Sequence, residues 1–168
     1  TAMSIINLLP KDAKITSGKI FFNGQNLLEL PQKELQKIRG RKISLIPQDP
    51  MTSLNPLFTV KEQVKEVVEM NSDLRGDSAD KRIIELFDMV KIPNAKNRLN
   101  AYPHEFSGGM KQRVIISMAL AANAQLIIAD EPTTALDSTI QLQIMDLLEE
   151  IKKEINSSIL LISHDLGL

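Results

Sequence analysis

Apolar positions recur along this chain in two rhythms, and each places secondary-structure elements. Residues 126–129 (Leu-Ile-Ile-Ala) and 159–162 (Ile-Leu-Leu-Ile) are short, unbroken apolar runs. Such runs predict parallel strands, the first of them buried on both faces. Residues 42–46 predict a further strand that ends at Pro47. Elsewhere the spacing is helical. Val60, Val64, Val67 and Val68 share one face, and Ile83, Ile84, Phe87 and Val90 share another after a polar break at 71–78, where Ser78 is the expected cap. Met110, Val114, Met118 and Ala121 mark a helix face within 109–122. Ile140, Ile144, Leu147, Leu148, Ile151 and Ile155 mark a long amphipathic helix.

The rest of the chain is punctuated by turn chemistry. Ala2, Ile5, Ile6 and Leu9 lie on one face of an expected helix over 1–9, with no capping residue before it. Residues 18–22 predict a strand, and Asn23-Gly24 predicts a hairpin turn. A short helix is expected over 30–38 with Pro31 near its start. The stretch 49–56, rich in Pro, Asp and Asn, reads as a loop. Strands alternate with helices at both ends of the chain around a helical middle, which predicts an α/β fold with a helical insertion.

Composition narrows the function classes. The 168 residues are 43% hydrophobic and 24% charged, which suits one globular domain with a real core. Lys and Arg number 20 against 21 Asp and Glu, a net charge of −1, so no broad basic surface for nucleic acid is expected. With no cysteine, thiolate metal sites, disulfides and cysteine nucleophiles are excluded. No apolar run approaches the roughly 18 residues of a membrane-spanning helix.

Candidate chemistry gathers where predicted strands end. The run 126–129 leads into Asp130-Glu131-Pro132, two adjacent carboxylates at the edge where open α/β sheets place ligands. Asp130 is a candidate for holding Mg²⁺ through water, and Glu131 for polarising a water that attacks a phosphate. A lone Asp-Glu pair is more often a solvated acidic turn. Ser107-Gly108-Gly109-Met110-Lys111 opens a predicted helix and offers backbone N–H groups to an anion, although a Ser-capped helix after a Gly turn looks the same. Gln48 follows the 42–46 strand, and its amide oxygen is a candidate metal or water ligand. His164 follows the 159–162 strand and is a candidate partner for a γ-phosphate or its attacking water. His104 has no such position and is read as structural.

Taken in order, these segments resemble the ATPase domain of ABC transporters across nearly the whole chain. Gln48 matches the Q-loop and Ser107-Gly108-Gly109-Met110-Lys111 the signature motif. Residues 126–130 look like the Walker B strand, Glu131 like the catalytic glutamate, Ala135-Leu136-Asp137 like the D-loop and His164 like the switch histidine. Residues 47–56 (Pro-Gln-Asp-Pro-Met-Thr-Ser-Leu-Asn-Pro), 102–106 (Tyr-Pro-His-Glu-Phe) and 130–137 are similar to the dipeptide, oligopeptide and nickel importer branch.

The resemblance implies a P-loop NTPase-like (RecA-like), mostly parallel sheet, with core pieces at about 1–48 and 107–168 and a helical subdomain at about 49–106. It implies ATP and Mg²⁺, catalytic roles for Glu131, His164 and Gln48, and a metal role for Asp130 with Gln48. Nucleotide contact falls to Ser107, Gly108, Gly109, Met110, Lys111 and Asp137. The implied partners are a second ATPase subunit and integral membrane permease subunits, not nucleic acid, at the cytoplasmic face of a cell membrane. No G-x-x-x-x-G-K-[ST] occurs in the sequence. The expectation is therefore a piece that begins just after that loop, lacks its strand, stops just after the switch histidine and is inactive by itself. A soluble ABC-type ATPase acting on nucleic acid or ribosomes, and an inert interaction module, are the alternatives.

Overall fold

Asn23 and Gly24 both take positive φ, 50° and 77°, and join β1 (Phe21–Phe22) to β2 (Gln25–Asn26) in a two-residue antiparallel hairpin. That backbone pairing is what an Asn-Gly hairpin turn requires. The computed structural model describes residues 1–164. Before the hairpin, the expected helix over 1–9 is shorter than its apolar face suggested: α1 covers Ala2–Ile5. Asn7 turns to φ 51°, and Arg39 donates from Nε to the Ile6 carbonyl at 2.6 Å and from Nη2 to the Asn7 carbonyl at 2.7 Å. The Asn7 turn closes the helix, with the Leu8 amide on the Met3 carbonyl at 2.9 Å, and the cation holds the two carbonyls that follow. After the hairpin, α2 (Gln32–Ile38) starts directly behind Pro31.

The main sheet is parallel, in the order β3 (Ile43–Ile46), β4 (Leu126–Asp130), β5 (Ser158–Ile162). Ile46 stands opposite Ala129 and Asp130 opposite Ile162, so the three strands end at one common edge. β4 is central, and Ile127, Ile128 and Ala129 are buried. Among the described residues β5 pairs with β4 alone, and Leu160 and Leu161 are exposed despite the unbroken apolar run.

Between β3 and β4 the chain is helical. Residues 49–56, expected as loop, contain a one-turn helix α3 (Pro50–Ser53), because Asp49 caps it by accepting from the Met51 amide at 2.7 Å and the Thr52 hydroxyl at 2.9 Å. α4 (Val60–Asn71) is capped by Thr59, and α5 (Gly76–Met89) begins earlier than the Ser78 cap expected. Ser78 lies in its first turn, and its hydroxyl accepts from the Arg75 amide at 3.1 Å. A short α6 (Ala95–Arg98) follows.

α7 (Gly108–Ala121) departs most from its predicted single face. Gly109, Lys111, Gln112, Val114, Ile115, Ile116, Ser117, Ala119 and Leu120 are all buried. A helix enclosed all round is a core helix. Its Val114 joins Val64, Phe87, Ile127 and Ile144 in one hydrophobic core shared by the helical middle, the sheet and α8 (Ser138–Glu154). The apolar stripe of α8 is buried at Ile144, Leu147, Leu148 and Ile151, as its spacing predicts.

Candidate active site

Because β3, β4 and β5 run parallel and end together, whatever follows each strand emerges on the same side of the sheet. Gln48 follows β3, Glu131 follows β4 and His164 follows β5. Oε2 of Glu131 accepts a hydrogen bond from Nε2 of Gln48 at 2.7 Å and lies 3.2 Å from Nδ1 of His164. The hydroxyl of Thr134 donates to the same oxygen at 3.0 Å. Sequence reasoning singled out the first three of these residues. Thr134 was missed, although a hydroxyl three residues after a carboxylate in a turn is a readable local pairing.

The backbone puts Glu131 there under constraint. Its φ is 49°, in the left-handed region that non-glycine residues seldom occupy. Its amide donates to the Ile162 carbonyl at 2.9 Å, and its carbonyl accepts from the Thr134 amide at 3.2 Å. The first bond continues the β4–β5 ladder by one residue, and the second closes the turn. The carboxylate is thereby lifted from the strand end toward the Gln48 and His164 side chains. The Glu131 side chain is 26% exposed and that of His164 is 64% exposed, so the cluster is open to solvent and to a ligand.

Asp130 is half-buried as the last residue of β4 and does not share in the hydrogen bonds that tie Glu131. Its carboxylate and the amide oxygen of Gln48, carried at the exits of the adjacent strands β4 and β3, are both hard oxygen donors. Such a donor set fits Mg²⁺, which keeps much of its water shell and takes few protein ligands. Asp49, next to Gln48, has its carboxyl held below the ordinary range, first by the Met51 amide and then by the Thr52 hydroxyl. It stays an acceptor that fixes α3 behind Gln48.

The start of α7 has the Ser cap that the sequence also allowed, and its glycines serve packing as well. Ser107 caps the helix, accepting from the Met110 amide at 3.3 Å. A Cβ on Gly109 would fall 2.7 Å from Cγ2 of Ile140, and one on Gly108 would fall 3.4 Å from Cδ2 of Leu136. The missing side chains thus let α7 pack against α8 and the turn before it, besides leaving the first-turn N–H groups without intrahelical acceptors. Lys111 is buried, with Nζ 3.6 Å from the Met51 sulfur of α3. Asp137 caps α8, its Oδ1 accepting from the Ile140 amide at 3.1 Å. Among the described residues, no hydrogen bond joins this second group to the Glu131 cluster. His104 stacks on Tyr102, with ring centroids 5.7 Å apart.

Known proteins resemble this chain along nearly its whole length. Residues 3–134 match the family described as ABC transporter. The oligopeptide transport ATP-binding protein OppD of Bacillus subtilis is 50% identical over 99% of this chain and 47% of its own length. The dipeptide transport ATP-binding protein DppD of Lactococcus lactis subsp. cremoris is 49% identical over 99% of this chain and 48% of its own. The chain therefore spans about half the length of the curated relatives it matches. Among solved structures, the ATP-binding cassette MJ0796, in a dimeric post-hydrolysis state bound to ADP and Pi, aligns with a TM-score of 0.79 and 32% identity. That alignment covers 99% of this chain and 71% of the other.

Proposed function

The chain belongs to the ABC transporter family, and from that premise we propose that it forms the greater part of an ATP-binding, ATP-hydrolysing domain that powers peptide import across a membrane. The observation that carries this reading is the single carboxylate oxygen of Glu131 meeting Gln48 and His164 from the ends of three adjacent parallel strands. Relatives named for oligopeptide and dipeptide transport support the cargo class.

In this reading Glu131 orients the attacking water and accepts its proton, with His164 and Thr134 fixing the carboxylate. Asp130 and the amide oxygen of Gln48 would hold Mg²⁺, which when bound offsets the charge of the phosphates. Ser107, Gly108, Gly109, Met110 and Lys111 present the α7 N-terminus to the nucleotide of a second ATPase subunit, and Asp137 helps join the two sites. The dimeric cassette among the structural relatives supports that pairing. Residues 49–106 act as the helical subdomain that meets the permease subunits at the cytoplasmic face. Among the described residues no helix is long and apolar enough to cross a membrane. Phosphate binding falls to a G-x-x-x-x-G-K-[ST] loop, which these 168 residues do not contain. Without such a loop of N–H groups and a lysine the chain neither holds ATP tightly nor turns it over.

The test uses the intact protein that carries this chain together with that loop. Glu131→Gln keeps size and ATP binding but removes the charge that orients water. Hydrolysis should fall by about 10²-fold or more, the scale of a lost general base. Near-normal turnover would remove Glu131 from the mechanism. Wild-type protein, reconstituted with its permease, should take up peptide only when ATP is supplied.

A further inference from the structure

Among the described residues, the buried side-chain nitrogen and oxygen atoms without a hydrogen-bond partner both belong to Gln112, which is 0% exposed. A carboxamide brings two donor hydrogens and two acceptor lone pairs. Folds seldom enclose one unpaired, and each case calls for a reason. Methionine or leucine would fill much the same space with no polar group to satisfy.

The address of Gln112 supplies the reason. Gly108 faces Leu136 and Gly109 faces Ile140. Gln112 follows them by four and three residues, so it lies one turn further along the same face of α7. That face packs on the start of α8 and on the turn at 131–136, which carries Glu131. The turn is held by bonds from the Thr134 amide to the Glu131 carbonyl and from the Leu136 amide to the Thr133 carbonyl. Gln141 of α8 also donates to the Thr133 carbonyl, at 3.0 Å. A buried, unpaired amide therefore lies one turn along the α7 face that meets Leu136, in the turn that carries Glu131, and Ile140 of α8.

We propose that Gln112 is a positioning residue for the hydrolytic reaction, unpaired in the present arrangement and hydrogen-bonded to the main chain of the 131–136 turn once α7 and that turn shift against each other. The proposal rests on the function proposed above. An amide with no partner here and a partner there raises the energy of this arrangement and lowers that of the other. A difference of that kind is all that is needed to bias a two-state equilibrium. Gln112 acts through Glu131, by setting where its turn comes to rest, and touches no reacting atom.

The experiment takes the intact protein with Gln112→Met and, as a second apolar shape, Gln112→Leu, and measures thermal unfolding without nucleotide together with kcat and KM for ATP. The unfolding temperature of at least one variant should rise by about 2 °C or more, because an unsatisfied group has been removed. Its kcat should fall about tenfold or more, with KM within about twofold of wild type. Retained kcat would overturn the proposal, since the amide would then be without use. A lower unfolding temperature or loss of folding in both variants would also overturn it, because the amide would then already have a partner. So would a kcat loss accompanied by a matching rise in KM, which would make Gln112 a nucleotide-holding group. A wild type that does not hydrolyse ATP would refute the functional reading itself, and the proposal with it.

Discussion

Gln48 and Glu131 are joined by one hydrogen bond of 2.7 Å, from the amide Nε2 to the carboxylate Oε2, and that bond ties the exit of β3 to the exit of β4. The same oxygen also meets Thr134 and His164. A carboxylate oxygen with two donors and an imidazole nitrogen beside it is oriented before any ligand arrives, and an oriented group has less to reorganise during reaction. The orientation has a backbone cost. Glu131 sits at φ 49°, where an L-residue with a Cβ is strained by roughly 1–2 kcal/mol.

That cost can be read by comparing two truncations at one position. Glu131→Ala and Glu131→Gly both remove the carboxylate and its three contacts, but only glycine accepts positive φ without penalty. We expect Glu131→Gly to be the more stable of the two by about 1 kcal/mol in chemical denaturation. The opposite order would show that the turn does not hold its left-handed backbone in solution.

A second prediction concerns pH and the helical middle. Asp80 of α5 receives the ammonium groups of Lys61 and Lys65 of α4. The Lys61 hydrogen bond, opposed by desolvation and aided by Lys65, holds the Asp80 carboxyl below its ordinary value. The folded state therefore takes up this proton less readily than the unfolded chain. The stability it contributes is complete above the unfolded value and is lost as pH falls through the lower, folded one. Asp80→Asn should cost about 0.5–1 kcal/mol at pH 7. The gap between wild type and variant should close as the pH falls from about 4 downward. A gap independent of pH would mean that packing, not charge, joins α4 to α5.

These features differ in how far the sequence discloses them. The gathering of Gln48, Glu131 and His164 is legible because each follows a short apolar run, and parallel runs in register must end at one edge. Asn23-Gly24 is legible because its backbone preference is local. What stayed hidden depends on partners distant in the chain. α1 ends early at Asn7, whose left-handed turn is a weak local signal, and the Arg39 that holds the Ile6 and Asn7 carbonyls there is far off in sequence. The apolar run of β5 cannot tell whether a neighbour covers Leu160 and Leu161, and the run reads alike in a central or an edge strand. Gln112 looks like any polar helix residue until its enclosure is seen.

The glycines of α7 were read as room for an anion, and the structure gives Gly109 a second reason, which yields a prediction. A Cβ there would meet Cγ2 of Ile140 at 2.7 Å, closer than any relaxed carbon contact. α7 and α8 both belong to the shared core, so neither can yield freely. Gly109→Ala should therefore destabilise by about 1–3 kcal/mol, the usual range for overpacking, even though alanine favours helices over glycine by nearly 1 kcal/mol. Ile140→Ala removes the colliding methyl and has its own cost from lost burial. In the double variant the two losses should sum to less than their separate values, with a coupling of about 1 kcal/mol or more in a double-mutant cycle by chemical denaturation. Strict additivity would place the clash elsewhere. A Gly109→Ala variant as stable as wild type would show that α7 starts further from α8, and the glycine would then be left to ligand approach alone.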